Sequence, residues 1–493
     1  MHKDNMLTKR RVVFCFSILL FYIIGGLKLD SVLKYTSNYR TSEISGSSTK
    51  ILKNTLDCST ANLTQICSAS SQLITTSKTE DKDDSESPVC PEYFRWIHEN
   101  LKPWKEKGIE RENVEVIENR AFFRLLVLNG RVYWKKYRDV PRSQSRDLYT
   151  IWGILQLLRR YPGKLPDLDI MFNCGDRPVI TSGPYYGPKA RIPPALFHYC
   201  GDDRSFDIVF PDWSFWGWPE INVKPWDSLV EDLREGNERT NWNERKPYAY
   251  WKGNPSMSKS RLELLKCNVT DKQEWNARLF VQDWLQEIKQ GFKGSNLANQ
   301  CTHRYKIYIE GIAWSVSMKY ILACDSVTML VNPKNYDFIT RALIPMRHYW
   351  PVKDDEDKCR SIKNGVDWGN HHTQEAKAIG KAASKFILED LKMDYVYDYM
   401  FHLLNEYGNL LKYKPTVPEG ATEICLETLA CPVNGLKKEY LLESMVKEAS
   451  DKKPCTMPPP FDPSALQAIL KEKEDSIHEV ETWKKKYWDN QSQ

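Results

Sequence analysis

Blocks of positive charge are what this sequence most conspicuously lacks. Among 493 residues, 70 basic and 65 acidic side chains nearly cancel, leaving a net charge of +5. No long basic run or stripe offers a footprint for a phosphate backbone, which excludes nucleic acid as the expected partner. Zinc spacing is missing too: there is no CxxC and no Cys/His cluster, so a structural metal is not expected. The glycine patterns include no P-loop and no GxGxxG after a strand, which removes the two commonest phosphate-cradling signatures. Long uncharged apolar runs are nearly absent as well, and the exception decides where the chain is expected to live.

That exception is "VVFCFSILLFYIIGGL" (12–27), preceded by Lys9-Arg10-Arg11. Sixteen residues at 1.5 Å rise span roughly 24 Å, enough for a thin bilayer. No small-x-small cleavage site follows in "KLDSVLKY", so the run reads as an uncleaved signal anchor rather than a signal peptide. The flanking positive charges predict a cytosolic N-terminus and a lumenal body. Of 13 cysteines, Cys15 lies in the run and twelve lie beyond it, an even number that an oxidising lumen would allow to pair. Spacing alone does not pair them. Sequons at Asn62, Asn268 and Asn490 are candidate glycan sites in that compartment, while Asn254 is blocked by Pro255.

Residues 28–89 are rich in Ser, Thr, Lys and Asp, with low hydrophobicity and no period, and read as a disordered stem. Folded sequence starts at Cys90. Asn129-Gly130 between two β-rich runs predicts a hairpin, because both turn residues must accept positive φ. "RDLYTIWGILQLLRRY" (146–161) predicts a helix with Leu148, Ile151, Trp152, Leu155 and Leu158 on one face, stopped by Pro162-Gly163. "LDIMF" predicts a buried strand, and a helix–strand–loop order of this kind belongs to α/β architecture. "RYKIYIEGIAWSVSMKYILACDSVTMLV" predicts a βαβ unit: strand 305–309, a turn at Gly311, helix 313–322 and strand 326–331. "LQAILKEKEDSIHEVETWKKKYW" predicts a solitary tail helix, since lysines interrupt its apolar seam.

Ligands of α/β sheets collect at the carboxyl ends of strands. Asp176 in "NCGDRP" stands at such a position. So does the loop after strand 207–210, which holds Asp212, Trp213, Trp216, Trp218 and Glu220. There rings beside carboxylates suit a sugar: the rings cover C–H faces and the carboxylates bind hydroxyls. The bland reading, a rigid Trp-packed corner, weighs equally. "YAYWKGNPSMSKSRLELLKC" places Lys252 and Gly253 at a strand end. Ser258 or Ser260 then caps a helix carrying Arg261, an arrangement able to meet phosphate.

These stretches, with "RHYWPVK", resemble glycosyltransferase family 90 in that family's order, from about residue 90 to 415. The family includes the Rumi-type protein O-glucosyltransferases and the fungal capsule-associated proteins, and the wording here looks most like its plant branch. The resemblance implies a GT-B fold, two Rossmann-like domains facing across a cleft. It also implies an inverting, metal-independent transfer from a UDP-sugar, with no cofactor. Asp167-Leu168-Asp169, a DxD-like triplet, is read as an accident of strand entry rather than a metal motif. By the same resemblance Asp176 falls on the catalytic base. Lys252, Gly253, Arg261, Gly311, Ser315 and Lys319 fall on the donor site, and Cys301 with Cys324 on a disulfide pair. Trp213, Trp216 and Glu220 are the candidates for the acceptor side. The chain departs from animal and fungal members at Ser317, where they often carry arginine, and at Glu310, where animal members carry a basic residue.

The expected layout is a cytosolic tail (1–11), a transmembrane signal anchor (12–27) and a stem (28–89). An acceptor-side domain (90–245), a UDP-sugar-binding domain (246–395), closing helices with a cysteine-containing segment (396–455) and a tail helix (456–493) follow. The expected function is transfer of glucose or xylose from a UDP-sugar to a protein hydroxyl. A polysaccharide xylosyltransferase is the alternative, and a catalytically weak sugar-binding scaffold the alternative of another class. Because the chain ends "NQSQ" rather than in a KDEL-like signal, the anchor is expected to hold it in the Golgi membrane, with the ER membrane as second choice.

Overall fold

The structure is a computed structural model that describes Leu56, Cys58, Cys67 and residues 87–491, apart from 141–143 and 188–190. The signal-anchor run 12–27, the cytosolic tail, Asn62 and most of the stem lie outside the described residues. Among the described residues, no helix is long and apolar enough to cross a membrane.

Two sheets organise an α/β fold. The first contains β1 (Phe123–Leu128), β2 (Arg131–Lys136), β3 (Leu168–Phe172), β4 (Phe197–His198), β5 (Ile208–Val209) and β11 (Thr422–Ile424), in the order β11-β2-β1-β3-β4-β5. The second contains β6 (Lys246–Gly253), β7 (Ala277–Val281), β8 (His303–Tyr308), β9 (Val327–Val331) and β10 (Trp350–Val352), in the order β10-β9-β8-β6-β7. The second sheet is parallel throughout, and β9 is buried along its whole length, as a strand covered on both faces must be. The first is mixed: β3, β4 and β5 run parallel, while β1, β2 and β11 pair antiparallel. The β1–β2 hairpin turns through Asn129 (φ 51°) and Gly130 (φ 76°), both in the left-handed region the turn requires.

Helix α1 (Arg146–Arg160) is buried on every side from Tyr149 to Leu158, a central helix rather than one buried on the single face that its spacing suggested. Gly153 explains part of this, since a Cβ there would lie 2.5 Å from the Trp216 ring. Helix α7 (Met393–Leu410) packs against α1 and α2 (Trp226–Glu238) shares its core, while α6 (Thr373–Lys385) packs against β9 of the second sheet. Beside the second sheet lie α3 (Lys259–Leu264), α4 (Ser317–Leu322) and α5 (Lys358–His371). Helix α4 starts four residues later than its periodicity predicts. The Ser315 hydroxyl bonds the Ser317 hydroxyl at 2.9 Å, and the Ser315 backbone N–H donates to the Tyr308 hydroxyl at 3.0 Å, so 313–316 remain loop. The tail helix α8 (Pro463–Gln491) is docked, not solitary. Val480 is buried, Trp483 stacks on Trp368, and the Tyr487 hydroxyl donates to Asp367 on α5.

Four disulfides join Cys58–Cys431, Cys90–Cys455, Cys267–Cys359 and Cys301–Cys324. Cys174 and Cys200 are buried free thiols. Cys90 and Cys455 also approach His402 closely enough to suggest a metal group, but their sulfurs are bonded to each other and His402 Nε2 is paired with the Cys455 carbonyl.

Candidate active site

The carboxyl ends of the strands in both sheets converge. From the first sheet come the Asp176 turn after β3, Cys200-Gly201 after β4 and Asp212 after β5. From the second come Gly253-Asn254 after β6, Glu310-Gly311 after β8 and Asn335-Tyr336 after β9. Gly201 and Tyr336 bridge the two sets, each N–H donating to the other's carbonyl at 2.9 Å. The Tyr336 hydroxyl adds a bond to the Asp202 carbonyl at 3.2 Å. A shallow depression lined by Asp227, Glu231, Arg234, Leu388 and Lys392 lies on the α2 flank and shares no residue with this junction. The polar groups gathered at the junction make it the candidate site.

Asp176 is half-exposed, its side chain 42% accessible. Its Oδ1 accepts from Arg146 Nη1 at 2.9 Å, and among the described residues Oδ2 has no protein partner. The turn beneath it is pinned from several directions. The Gly175 N–H donates to Asn173 Oδ1 at 2.7 Å, and a Cβ on Gly175 would sit 2.8 Å from that oxygen, so glycine is needed for this approach. The Cys200 thiol reaches the Asp176 carbonyl at 3.4 Å. Behind the turn His198 is fully buried, and desolvation pulls it down to about 4, so the ring is neutral at physiological pH. The Cys200 N–H donates to its Nδ1 at 3.2 Å.

On the second sheet's side, Arg261 donates to the carbonyls of Glu310 (Nε, 3.0 Å), Ile309 (Nη2, 3.0 Å) and Asn254 (Nη1, 3.3 Å), tying the ends of β6 and β8 together. Burial lowers its pKa, and none of these bonded partners is a carboxylate. Glu310 faces away from it, accepting the backbone N–H groups of Lys334 (3.1 Å) and Asn335 (2.8 Å). The hydroxyl of Ser258 caps α3 by accepting from the Arg261 N–H, and Ser260 turns to Asp354 instead. Gly311 lies against Arg261, and its N–H closes a turn onto the Ala313 carbonyl at 3.0 Å. Gly253 is required for packing, because a Cβ would lie 2.6 Å from the Trp251 ring. Lys252 pairs with Glu287 at 3.3 Å and with the Gly294 carbonyl.

Other expected site residues are occupied elsewhere. Lys319 is buried and donates to Asp212 Oδ2 (2.8 Å) and Ser214 Oγ (2.7 Å), with Phe215 beneath it, so its charge already has a buried carboxylate partner and joins the two halves. Trp213 and Trp216 are core residues. Trp216 is fully buried and donates from Nε1 to the Tyr397 hydroxyl at 3.0 Å, while Trp213 packs under the Arg146 guanidinium. Neither presents a ring face to solvent, so the rigid-corner reading describes them. Glu220 binds Ser145 through its backbone N–H (3.1 Å) and hydroxyl (3.0 Å), and pairs with Lys437. Asp167 accepts the Asn129 N–H, and buried Asp169 makes a two-pronged pair with Arg124 at 2.7 and 2.6 Å, so both carboxylates of the DxD-like triplet serve the sheet. Asn268 bonds both backbone groups of Leu279 on the edge strand β7, while Asn490 is exposed on α8.

Two residues of the site escaped sequence reasoning. Arg146 is the first residue of α1, where the helix dipole disfavours a cation, and that mismatch was the available signal. Trp314 is a partly exposed ring from the second half that packs against Tyr199 and Trp213, 6.1 Å from each, beside the Asp176 turn.

Fold and site together define the class: an α/β protein whose polar residues gather where the strand ends of two sheets meet. Comparison supplies the family. The chain matches the model of Glycosyl transferase family 90 over residues 85–484 and belongs to that family. It is a glycosyltransferase. Protein O-glucosyltransferase 1 of Bos taurus is 27% identical over 363 residues, covering 70% of this chain and 87% of that protein. The human protein of the same name is 26% identical over an equal length. The O-glucosyltransferase rumi homolog of Aedes aegypti is 24% identical over 335 residues, covering 64% of this chain and 77% of that protein.

Proposed function

We propose that this chain transfers glucose or xylose from a UDP-sugar to a hydroxyl of a protein, with inversion and without a metal, in the lumen of the secretory pathway. The observation that carries the reading is Asp176: a half-exposed carboxylate at a strand end, one oxygen held and the other open, facing a second sheet whose strand ends carry a buried guanidinium. In the transfer, the acceptor oxygen attacks the anomeric carbon and forms the new C–O bond. The bond from that carbon to the UDP phosphate oxygen breaks, and its electron pair leaves with UDP. The acceptor's proton passes to Asp176 Oδ2, as general-base catalysis requires. Arg261 and Gly311 would frame the diphosphate, with Lys252 and Ser315 near it, and Trp314 would lie against a sugar ring. On this reading the two halves would be the acceptor-side (90–245) and donor-side (246–395) domains of a GT-B arrangement, and residues 12–27 would anchor the lumenal body in the Golgi membrane.

The deciding experiment uses the purified lumenal body, with UDP release read for a panel of UDP-sugars against peptide, oligosaccharide and no acceptor. Asp176→Asn is expected to abolish transfer while sparing UDP binding, because it removes the base and little volume; unchanged turnover would sink the mechanism. Inhibition by EDTA would overturn the metal-free reading, and transfer to oligosaccharide alone would make the enzyme a glycan xylosyl- or glucosyltransferase instead.

A further inference from the structure

Arg146 combines features that no packing requirement explains. It opens α1, where its charge opposes the helix dipole, and its side chain is only 12% accessible. A long cation held in such a place needs compensation, and its one carboxylate partner is at the Asp176 turn. Nη1 donates both to the Cys174 carbonyl (3.1 Å) and to Asp176 Oδ1 (2.9 Å). Those groups flank Gly175, so one nitrogen spans the turn. Nε donates to Gln144 at 2.6 Å, and the guanidinium carbon Cζ lies over the Trp213 ring, 4.5 Å from its centroid. Planarity, forked donors and stacking are properties of arginine that lysine lacks.

We propose that Arg146 is the positioning residue for the reaction, holding Oδ1 so that Oδ2 alone is presented to the acceptor hydroxyl. Trp213 serves as the platform for this guanidinium and not for a sugar. The inference rests on the reading of Asp176 as the base. With Cys174 O and Asp176 Oδ1 on the same nitrogen, the carboxylate cannot rotate about its Cβ–Cγ bond without breaking a charge-assisted bond. Without Arg146 the glycine turn leaves the carboxylate free to rotate. A base misplaced by about 1 Å loses on the order of a hundredfold in rate.

The test is a set of variants of the lumenal body assayed for kcat, donor KM, UDP affinity and thermal midpoint. Arg146→Gln is expected to lower kcat by about a hundredfold with UDP affinity and donor KM within about threefold of wild type. Guanidinium ion added in millimolar amounts should restore part of that loss. Arg146→Lys, which can reach one of the two acceptors but cannot span or stack, should fall between the two. A merely structural arginine would show a drop in thermal midpoint and UDP affinity in step with activity, and no rescue. That result overturns the inference, as does kcat within about threefold of wild type in Arg146→Gln. Should Arg146→Gln not fold, Arg146→Lys carries the test: wild-type kcat in a folded Lys variant overturns it. Asp176→Asn separates the two claims. If that variant is inactive while Arg146→Gln is normal, the base stands and the positioning role falls; if Asp176→Asn remains active, the base reading falls and takes this inference with it.

Discussion

Replacing Lys319 by methionine asks whether that ammonium belongs to the donor or to the fold. Lys319 on α4 and Asp212 after β5 are both about 95% buried or more and lie 2.8 Å apart, one from each half of the structure. Asp212 also accepts the Ser214 N–H at 2.9 Å and the Ser214 hydroxyl. The substitution keeps most of the volume and the contact with Phe215 but leaves a buried carboxylate with only those two donors. Breaking a buried pair from one side costs about 3–5 kcal/mol, because the remaining charge keeps its desolvation penalty. Adding Asp212→Asn, which keeps the Ser214 cap, should recover a large part of that, giving a coupling energy of about 1–3 kcal/mol. Urea unfolding followed by tryptophan fluorescence reads the stability, and UDP titration reads the donor site. The expected outcome is a large destabilisation, coupled to Asp212, with UDP affinity of the folded fraction little changed. A Lys319→Met protein within about 0.5 kcal/mol of wild type that has lost UDP affinity would refute the structural assignment.

Three further outcomes follow from the same packing. Lys306 is fully buried, and desolvation, aided by Arg245, pulls its pKa from 10.5 to about 7; between those pH values the unfolded chain binds the extra proton. Stability should therefore rise with pH across that window by up to about 1.4 kcal/mol per unit, and denaturation of wild type and Lys306→Met side by side should show the slope only in the former. Cys301 and Cys324 close a separation of 23 residues, which by loop entropy corresponds to about 3 kcal/mol; paired serine substitution should lower the thermal midpoint accordingly, and mass mapping under non-reducing conditions should find the bridge. Gly153→Ala places a methyl 2.5 Å from the Trp216 ring and should destabilise by about 1–3 kcal/mol in calorimetry; a neutral effect would mean Trp216 is free to move.

Local order determined what was legible. The hairpin at Asn129-Gly130, the span of α1 and the strands of the βαβ unit rest on turn chemistry and period, which sequence displays directly. The beginning of α4 was misplaced because the Ser315 and Ser317 hydroxyls bond each other, and that competition does not alter apolar spacing. Trp213 and Trp216 were ambiguous for a different reason. A ring beside carboxylates looks alike whether it faces a sugar or the core, and only Tyr397, 181 residues further on, shows which. The partners of the cations were invisible on the same ground, since Lys319 meets Asp212 across 107 residues and Arg146 meets Asp176 across 30. Asp176 itself stood out because a strand end places it regardless of distant partners.

The charge accounting at the junction ranks the cations expected at the donor. Lys319 has a buried carboxylate of its own, so a diphosphate would have to displace Asp212, and exchange of one anion for another gains little. Lys252 is in the same position with Glu287, 3.3 Å away. Arg261 differs in kind. Its bonded partners are neutral carbonyls, its charge is penalised by burial, and Glu310, the nearby acid, spends its oxygens on the backbone of 334 and 335. An arriving diphosphate would add a counter-charge there without removing one, and a desolvated guanidinium gains most from such an addition. On the proposed donor reading, an acidic Glu310 therefore costs that side less than its charge suggests. Its carboxylate holds the loop after β9 in place, and the positive end of the junction is left to Arg261.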